Sequence, residues 1–157
     1  MMNMQSPVPK FDAQASGITR FHPRAVSLFS EAWQRGQVHR LFSAVLRRSR
    51  RLPLLEAPAG SASSPRDGVR PVPLAQIRGS VNRVNDFDCD FFPLDESLRN
   101  RWVRVASMML LGTPLPPVEL VQTGEGYYVV DGHHRISVAR MLGYAAIDAV
   151  ILRAYTS

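Results

Sequence analysis

Val129-Val-Asp-Gly-His-His-Arg135 is the stretch whose reading decides the fold. Two β-branched residues favour a strand, Asp-Gly makes a turn, and a helix-forming run from His133 to Leu142 follows, closed by Gly143. Upstream, Gly124-Glu-Gly126 reads as a hairpin turn joining strand Val118–Gln122 to strand Tyr127–Val130. Pro114, Pro116 and Pro117 forbid helix before that hairpin. Asp95 predicts the N-cap of a helix running to Leu111, with Gly112 as its stop and a buried stripe of Leu98, Trp102, Val105, Ala106, Met109 and Leu110. Val72–Ile77 reads as a short strand or strand-turn, and Ile147–Leu152 as the last strand. Strands alternating with two helices within about 85 residues predict a small α/β domain of the α+β kind, a mixed sheet with packed helices.

The turn carries the chemistry. The first turn of a helix presents unpaired backbone N–H groups and the positive end of the helix dipole. Gly132 removes the Cβ that would keep an anion away, and Arg135 is able to grip phosphate oxygens through two N–H groups. His133, His134 and Arg135 in one first turn are electrostatically costly unless an anion offsets them, which predicts a phosphate site there. The structural alternative makes Asp131 a simple helix cap and Arg135 its ion-pair partner. A metal shared by His133 and His134 is disfavoured, because adjacent helical residues point about 100° apart.

The bulk numbers set the limits. The chain has 157 residues, 45% of them hydrophobic, and a formal net charge of +6, which favours an anionic partner. Cys89 is the single cysteine, so an internal disulfide or Cys-rich zinc site is excluded. Asp88 and Asp90 flank it, which raises a thiol pKa and argues against a reactive nucleophile. No run approaches the roughly 18 apolar residues of a membrane span, and the N-terminus lacks a signal-peptide core, so the expectation is a cytoplasmic protein. Residues 1–20 read as a disordered tail, 21–56 as a basic helical segment, 57–68 as a small-residue linker and 69–157 as the α/β domain. Within the basic segment, Gly36 predicts a break between two helices. Val26, Phe29 and Trp33, then Val38, Leu41, Phe42 and Val45, are the apolar positions expected to pack. Arg47, Arg48, Arg50 and Arg51 close the second helix and offer a nucleic-acid contact; the alternative is a solvated face.

Read together, Val72-Pro-Leu-Ala-Gln-Ile77, a helix, Leu115-Pro-Pro-Val-Glu-Leu120, a hairpin, Asp131-Gly-His-His-Arg135, a second helix and Ile147-Asp-Ala-Val150 resemble the ParB/sulfiredoxin superfamily. The likeness spans a little over half the chain. It implies nucleotide handling: ParB-type proteins bind and hydrolyse CTP at this turn, sulfiredoxin uses a Gly-Cys-His-Arg version with ATP, and free-serine kinases of the same fold share Asp-Gly-His-His-Arg. Carried over, Gly132, His134 and Arg135 contact phosphates, and Asp131 or His133 faces the reacting group. This chain also departs from the family. His133 stands where sulfiredoxin has its catalytic cysteine, which removes that chemistry. Ile77–Asp88 lacks the glutamate expected of the serine kinases, and no helix-turn-helix follows the last strand.

The resemblance also gives Gly79, Ser80 and Arg83 a role as the other wall of a nucleotide site, close in space to the turn. Asp86 and Asp88 either hold Mg²⁺ through phosphates or simply shape a loop. The functional expectation is therefore a module that binds a nucleoside triphosphate or diphosphate, with or without Mg²⁺, as a switch or adaptor. The rivals are a small phosphotransferase or nucleotide hydrolase, and a nucleic-acid-binding protein working through the basic helices. A homodimer is compatible with each.

Overall fold

The computed structural model describes residues 21–55, 63–65 and 68–153. The expected tail over 1–20 and most of the expected linker over 57–68 lie outside these residues. The first element is one helix, α1, over Pro23–Leu46. Pro23 occupies its first turn, where a missing N–H costs nothing, and His22 caps it by accepting from Arg24 N at 3.2 Å. The other elements are β1 (Ser63–Pro65), β2 (Arg70–Pro73), β3 (Ile77–Ser80), α2 (Arg99–Leu110), β4 (Val118–Thr123), β5 (Gly126–Asp131), α3 (His133–Met141) and β6 (Ala146–Arg153). Short 3₁₀ turns precede β3 and α2.

The strands form a six-stranded mixed sheet in the order β1-β6-β4-β5-β3, with β2 also paired to β6. β4 and β5 are the expected antiparallel hairpin, whereas β3–β5 and β4–β6 are parallel. The fold is α+β, as expected. β5 and β3 end side by side, with Ser80 in register with Val129, so the loop leaving β3 and the turn into α3 emerge at the same edge.

Several expectations are corrected. Asp95 does cap, accepting from Ser97 N at 2.7 Å, but it opens the 3₁₀ turn Glu96–Leu98 rather than α2 itself. The expected stripe of α2 does pack on the core, Trp102 and Ala106 fully and Leu98, Val105, Met109 and Leu110 in part, and the buried face extends further to Val103 and Ser107 because the helix is covered on two sides. On one side, Phe29 of α1 meets Trp102 edge-on, with ring centroids 5.6 Å apart; on the other, Trp102 Nε1 donates to Ser137 Oγ of α3 at 2.8 Å.

Gly36 does not break α1. It is buried where the helix crosses the Pro93 carbonyl, and a Cβ there would stand 2.5 Å from that oxygen. Glycine is present for closeness, not for flexibility. The apolar positions beyond Gly36 also depart from expectation. Val38, Leu41, Phe42 and Val45 are exposed at 48, 67, 57 and 71%, while Ala25, Phe29 and Ala32 before it are buried. After α1 the chain returns along the sheet edge, where Ser80 N donates to Pro53 O at 2.8 Å and Leu55 N to Ser80 O at 2.9 Å. Leu52 thereby joins the same core as Phe29, Trp102 and Val129.

Gly36→Ala is expected to destabilise the protein, although alanine is the better helix former. Overpacking against a backbone carbonyl costs about 1–3 kcal/mol, more than the roughly 1 kcal/mol gained in helix propensity. Thermal denaturation followed by circular dichroism decides it: an unchanged or raised midpoint contradicts the close approach.

Candidate functional site

The site grows from one hydroxyl. Ser80 ends β3 fully buried and accepts from Asn82 N at 3.1 Å and Arg83 N at 3.0 Å. The same hydroxyl is bonded to His133 Nε2 at 2.7 Å and reaches the Val129 carbonyl at 3.3 Å and Asn82 Oδ1 at 3.4 Å. Burial, then the nearby Arg83 cation, lowers the pKa of His133 to about 4, so the ring is neutral at pH 7. Phe87 stacks on this imidazole at 6.2 Å between centroids and meets the ring of His134 edge-on at 5.3 Å.

His134 is the unbalanced member. It is buried, its Nε2 has no hydrogen-bond partner, and burial followed by the Arg101 cation lowers its pKa to about 4. A buried imidazole nitrogen left unpaired costs about 1–3 kcal/mol, so an uncompensated one calls for an explanation. It borders a cavity of about 220 Å³ at the N-terminus of α3, together with Arg83, Arg101, Asp131, Gly132 and Arg135. No side chain caps α3 and no acidic residue stands in its first turn. Gly132 has φ +105°, a conformation that L side chains rarely adopt, and a Cβ there would stand 2.5 Å from Val118 Cγ1.

The structure therefore brings Ser80, Arg83, Asp131, Gly132, His133, His134 and Arg135 to one place. Of the rest, only Asp86 stands beside it. Gly79 faces the Pro53 carbonyl, which its missing Cβ allows to approach, and so serves packing rather than the cavity wall. Asp86 pairs with Arg83 at 3.1 Å. The Mg²⁺ role expected of Asp88 is corrected: its Oδ1 accepts from Asp90 N and Phe92 N at 3.0 and 2.9 Å, and its Oδ2 from His39 Nδ1 at 2.6 Å. That buried carboxylate organises the loop against α1, and with His39 and Asp90 it offers three possible metal-ligand atoms within 4.8 Å of one another, none of them lining the cavity at α3. The phosphate role expected of Arg135 is also redirected. Its guanidinium donates to Pro116 O, to Pro117 O at 2.8 Å and to Asp131 Oδ2 at 2.6 Å, tying α3 to the proline segment before β4. Asp131 is occupied by the same pair.

Sequence reasoning missed Arg101. It sits on the polar side of α2, and only the packing of α2 on α3 brings it to His134. No local pattern marks it among the neighbouring Arg99 and Arg104. Arg47, Arg48, Arg50 and Arg51 line a different cleft, of about 760 Å³, that also contains Asp88 and Asp95, and Arg50 is paired with Asp90. The Cys89 thiol is pushed up by burial, then by Asp90 and Asp88, in keeping with an unreactive cysteine.

No protein-family model matches the sequence, and no curated protein matches it either. Among solved structures, the chain is similar to sulfiredoxin from Arabidopsis thaliana, at 21% identity over 57% of this chain and 89% of that one, with a TM-score of 0.43. No helix among the described residues is long and apolar enough to cross a membrane.

Arg135→Ala is expected to lower the melting temperature, because it strands two proline carbonyls and Asp131; hydrogen bonds to charged groups contribute about 1.5–3 kcal/mol. A variant as stable as wild type contradicts this structural role.

A second expectation concerns pH. Both histidines have folded-state values near 4, below the ordinary 6.5. Between those values the unfolded chain binds more protons, so stability rises with pH. The contribution is complete above pH 6.5 and is lost as pH falls through 6.5 towards 4. Denaturant titrations at successive pH values should show this fall, and His134→Gln should flatten it. A flat wild-type profile across that window argues that the rings are solvated.

Proposed function

We propose that this chain is a phosphate-binding module that takes a nucleoside diphosphate or triphosphate at the N-terminus of α3 and works as a switch or adaptor. One observation carries the reading. The buried, unpartnered Nε2 of His134 lies beside an uncapped helix start with Arg83 and Arg101 at the rim. Anions are what such a helix end and such cations select. Arg101 has no ion-pair partner among the described residues.

The cavity is small. About 220 Å³ accommodates one or two phosphoryl groups, not a nucleoside, which has to lie across the rim. A phosphate oxygen in this cavity meets the first N–H groups of α3 and lies in the field of Arg83 and Arg101. Its charge also offsets the Arg83–Arg101 repulsion.

Binding is favoured over catalysis for a reason of proton bookkeeping. A general base needs a free lone pair and a pKa near the working pH. His133 has its Nε2 bonded to Ser80 and a value near 4, and Asp131 is paired with Arg135. Neither is poised to activate an acceptor hydroxyl. With Asp86 paired to Arg83 and Asp88 committed to its loop, Mg²⁺ would come as the partner of the ligand's phosphates.

A thermal-shift series with inorganic phosphate, pyrophosphate, ADP, ATP, CTP and GTP, each with and without Mg²⁺, tests the proposal. Ligand at 100 times its Kd adds roughly 2.7 kcal/mol to native stability. The expected result is stabilisation by at least one di- or triphosphate that Arg101→Ala weakens tenfold or more, about 1.4 kcal/mol, at unchanged ligand-free stability. No stabilisation by any of these compounds, or an Arg101→Ala variant that responds as wild type does, refutes it.

A further inference from the structure

α1 has two different outer faces. Its inner side, Ala25, Phe29, Ala32 and Gly36, is docked along the body of the protein. With about 100° between successive residues, the side pointing away carries Arg24, Ser27, Glu31 and Gln34 in the first half. All four are exposed, as solvent-facing residues should be. Beyond Gly36 the same side carries Val38, Leu41, Phe42 and Val45, at i, i+3, i+4 and i+7, all exposed. A helix that needed only solubility would continue its polar face. This one changes character within one turn, and a contiguous exposed apolar patch of this kind marks a contact surface.

The charge around the stripe says what covers it. Of the six arginines from Ala32 to Leu55, Arg35 is paired with Glu31 and Arg50 with Asp90, whereas Arg40, Arg47, Arg48 and Arg51 have no ion-pair partner among the described residues. Arg35 stands before the stripe and Arg48 after it. We infer that the outer half of α1 is a docking surface for an acidic amphipathic helix of another protein. That helix lays apolar residues of the same spacing on Leu41, Phe42 and Val45 and meets the surrounding arginines with its carboxylates. Other occupants fit less well. A second copy of this chain brings the same acid-free segment and opposes arginine with arginine. A membrane surface would take the straight helix lengthwise and press Glu31 and Gln34 into the lipid along with the stripe. Nucleic acid would satisfy arginines and leave the apolar side chains uncovered.

The surface lies away from the phosphate cavity and does not depend on it. Calorimetric titration of the full chain tests the assignment. The probes are a helical peptide of about 18 residues with leucines at the matching spacing and glutamates elsewhere, and its counterpart with lysine for every glutamate. Further arms use vesicles of phosphatidylcholine with phosphatidylserine and a short DNA duplex. The oligomeric state of the chain is measured alongside. The acidic peptide is expected to bind and the lysine peptide not to. Leu41→Ser with Phe42→Ser should raise the Kd at least about tenfold while the melting temperature stays at or above wild type, since both side chains are exposed. Arg48→Glu should weaken binding as well. The assignment is overturned if the acidic peptide fails to bind, if the double variant binds it equally, or if both peptides bind alike. It is also overturned if vesicles, duplex or self-association, rather than the peptide, prove to depend on Leu41 and Phe42.

Discussion

The buried hydroxyl of Ser80 is the joint on which the site depends. It fixes the backbone of Asn82 and Arg83 through two accepted hydrogen bonds and the ring of His133 through a third, to Nε2. The backbone of the same residue grips the segment that returns from α1, through Pro53 and Leu55. Three parts of the chain far apart in sequence are therefore set relative to one another by a single residue at the end of β3. Parallel pairing of β3 with β5 is what lets this happen, because it delivers both strand ends to the same edge. Arg83 reaches the cavity only because the loop that carries it is anchored there.

The cavity at α3 holds little negative charge. Two histidines are held neutral by burial and by arginine neighbours, and the helix end beside them is uncapped. The proposed anion would sit against all three features at once. The carboxylates that might have supplied that charge are committed elsewhere. Asp131 serves Arg135, Asp86 serves Arg83, and Asp88 serves the loop and His39.

What was legible in the sequence was local. The β4–β5 hairpin, the Asp-Gly turn, α3 and the final strand are each fixed by turn chemistry and periodicity within a few residues, and they stand where the pattern placed them to within a residue or two. The misreadings arose wherever a distant partner decided. Gly36 has the helix propensity of a breaker, yet the Pro93 carbonyl makes it a contact point. The Asp131 partner of Arg135 was legible as an alternative, four residues away, but nothing local announces that Pro116 and Pro117 turn their carbonyls towards it. Nor does anything near Asp88 announce that His39 of α1 bonds it. Arg101 could not have been singled out at all, since its role exists only across the contact between α2 and α3.

An unbroken α1 also has a mechanical meaning. Its 24 residues make a rod of about 36 Å, held at Phe29 by Trp102, at Gly36 by the Pro93 carbonyl, and at Gln37 and His39 by the Leu94 carbonyl and Asp88, with only its last residues free. A lever so mounted concentrates any torque on its free arm at its fulcrum. Here that fulcrum is His39 on Asp88, and the neighbouring Phe87 packs on both His133 and His134.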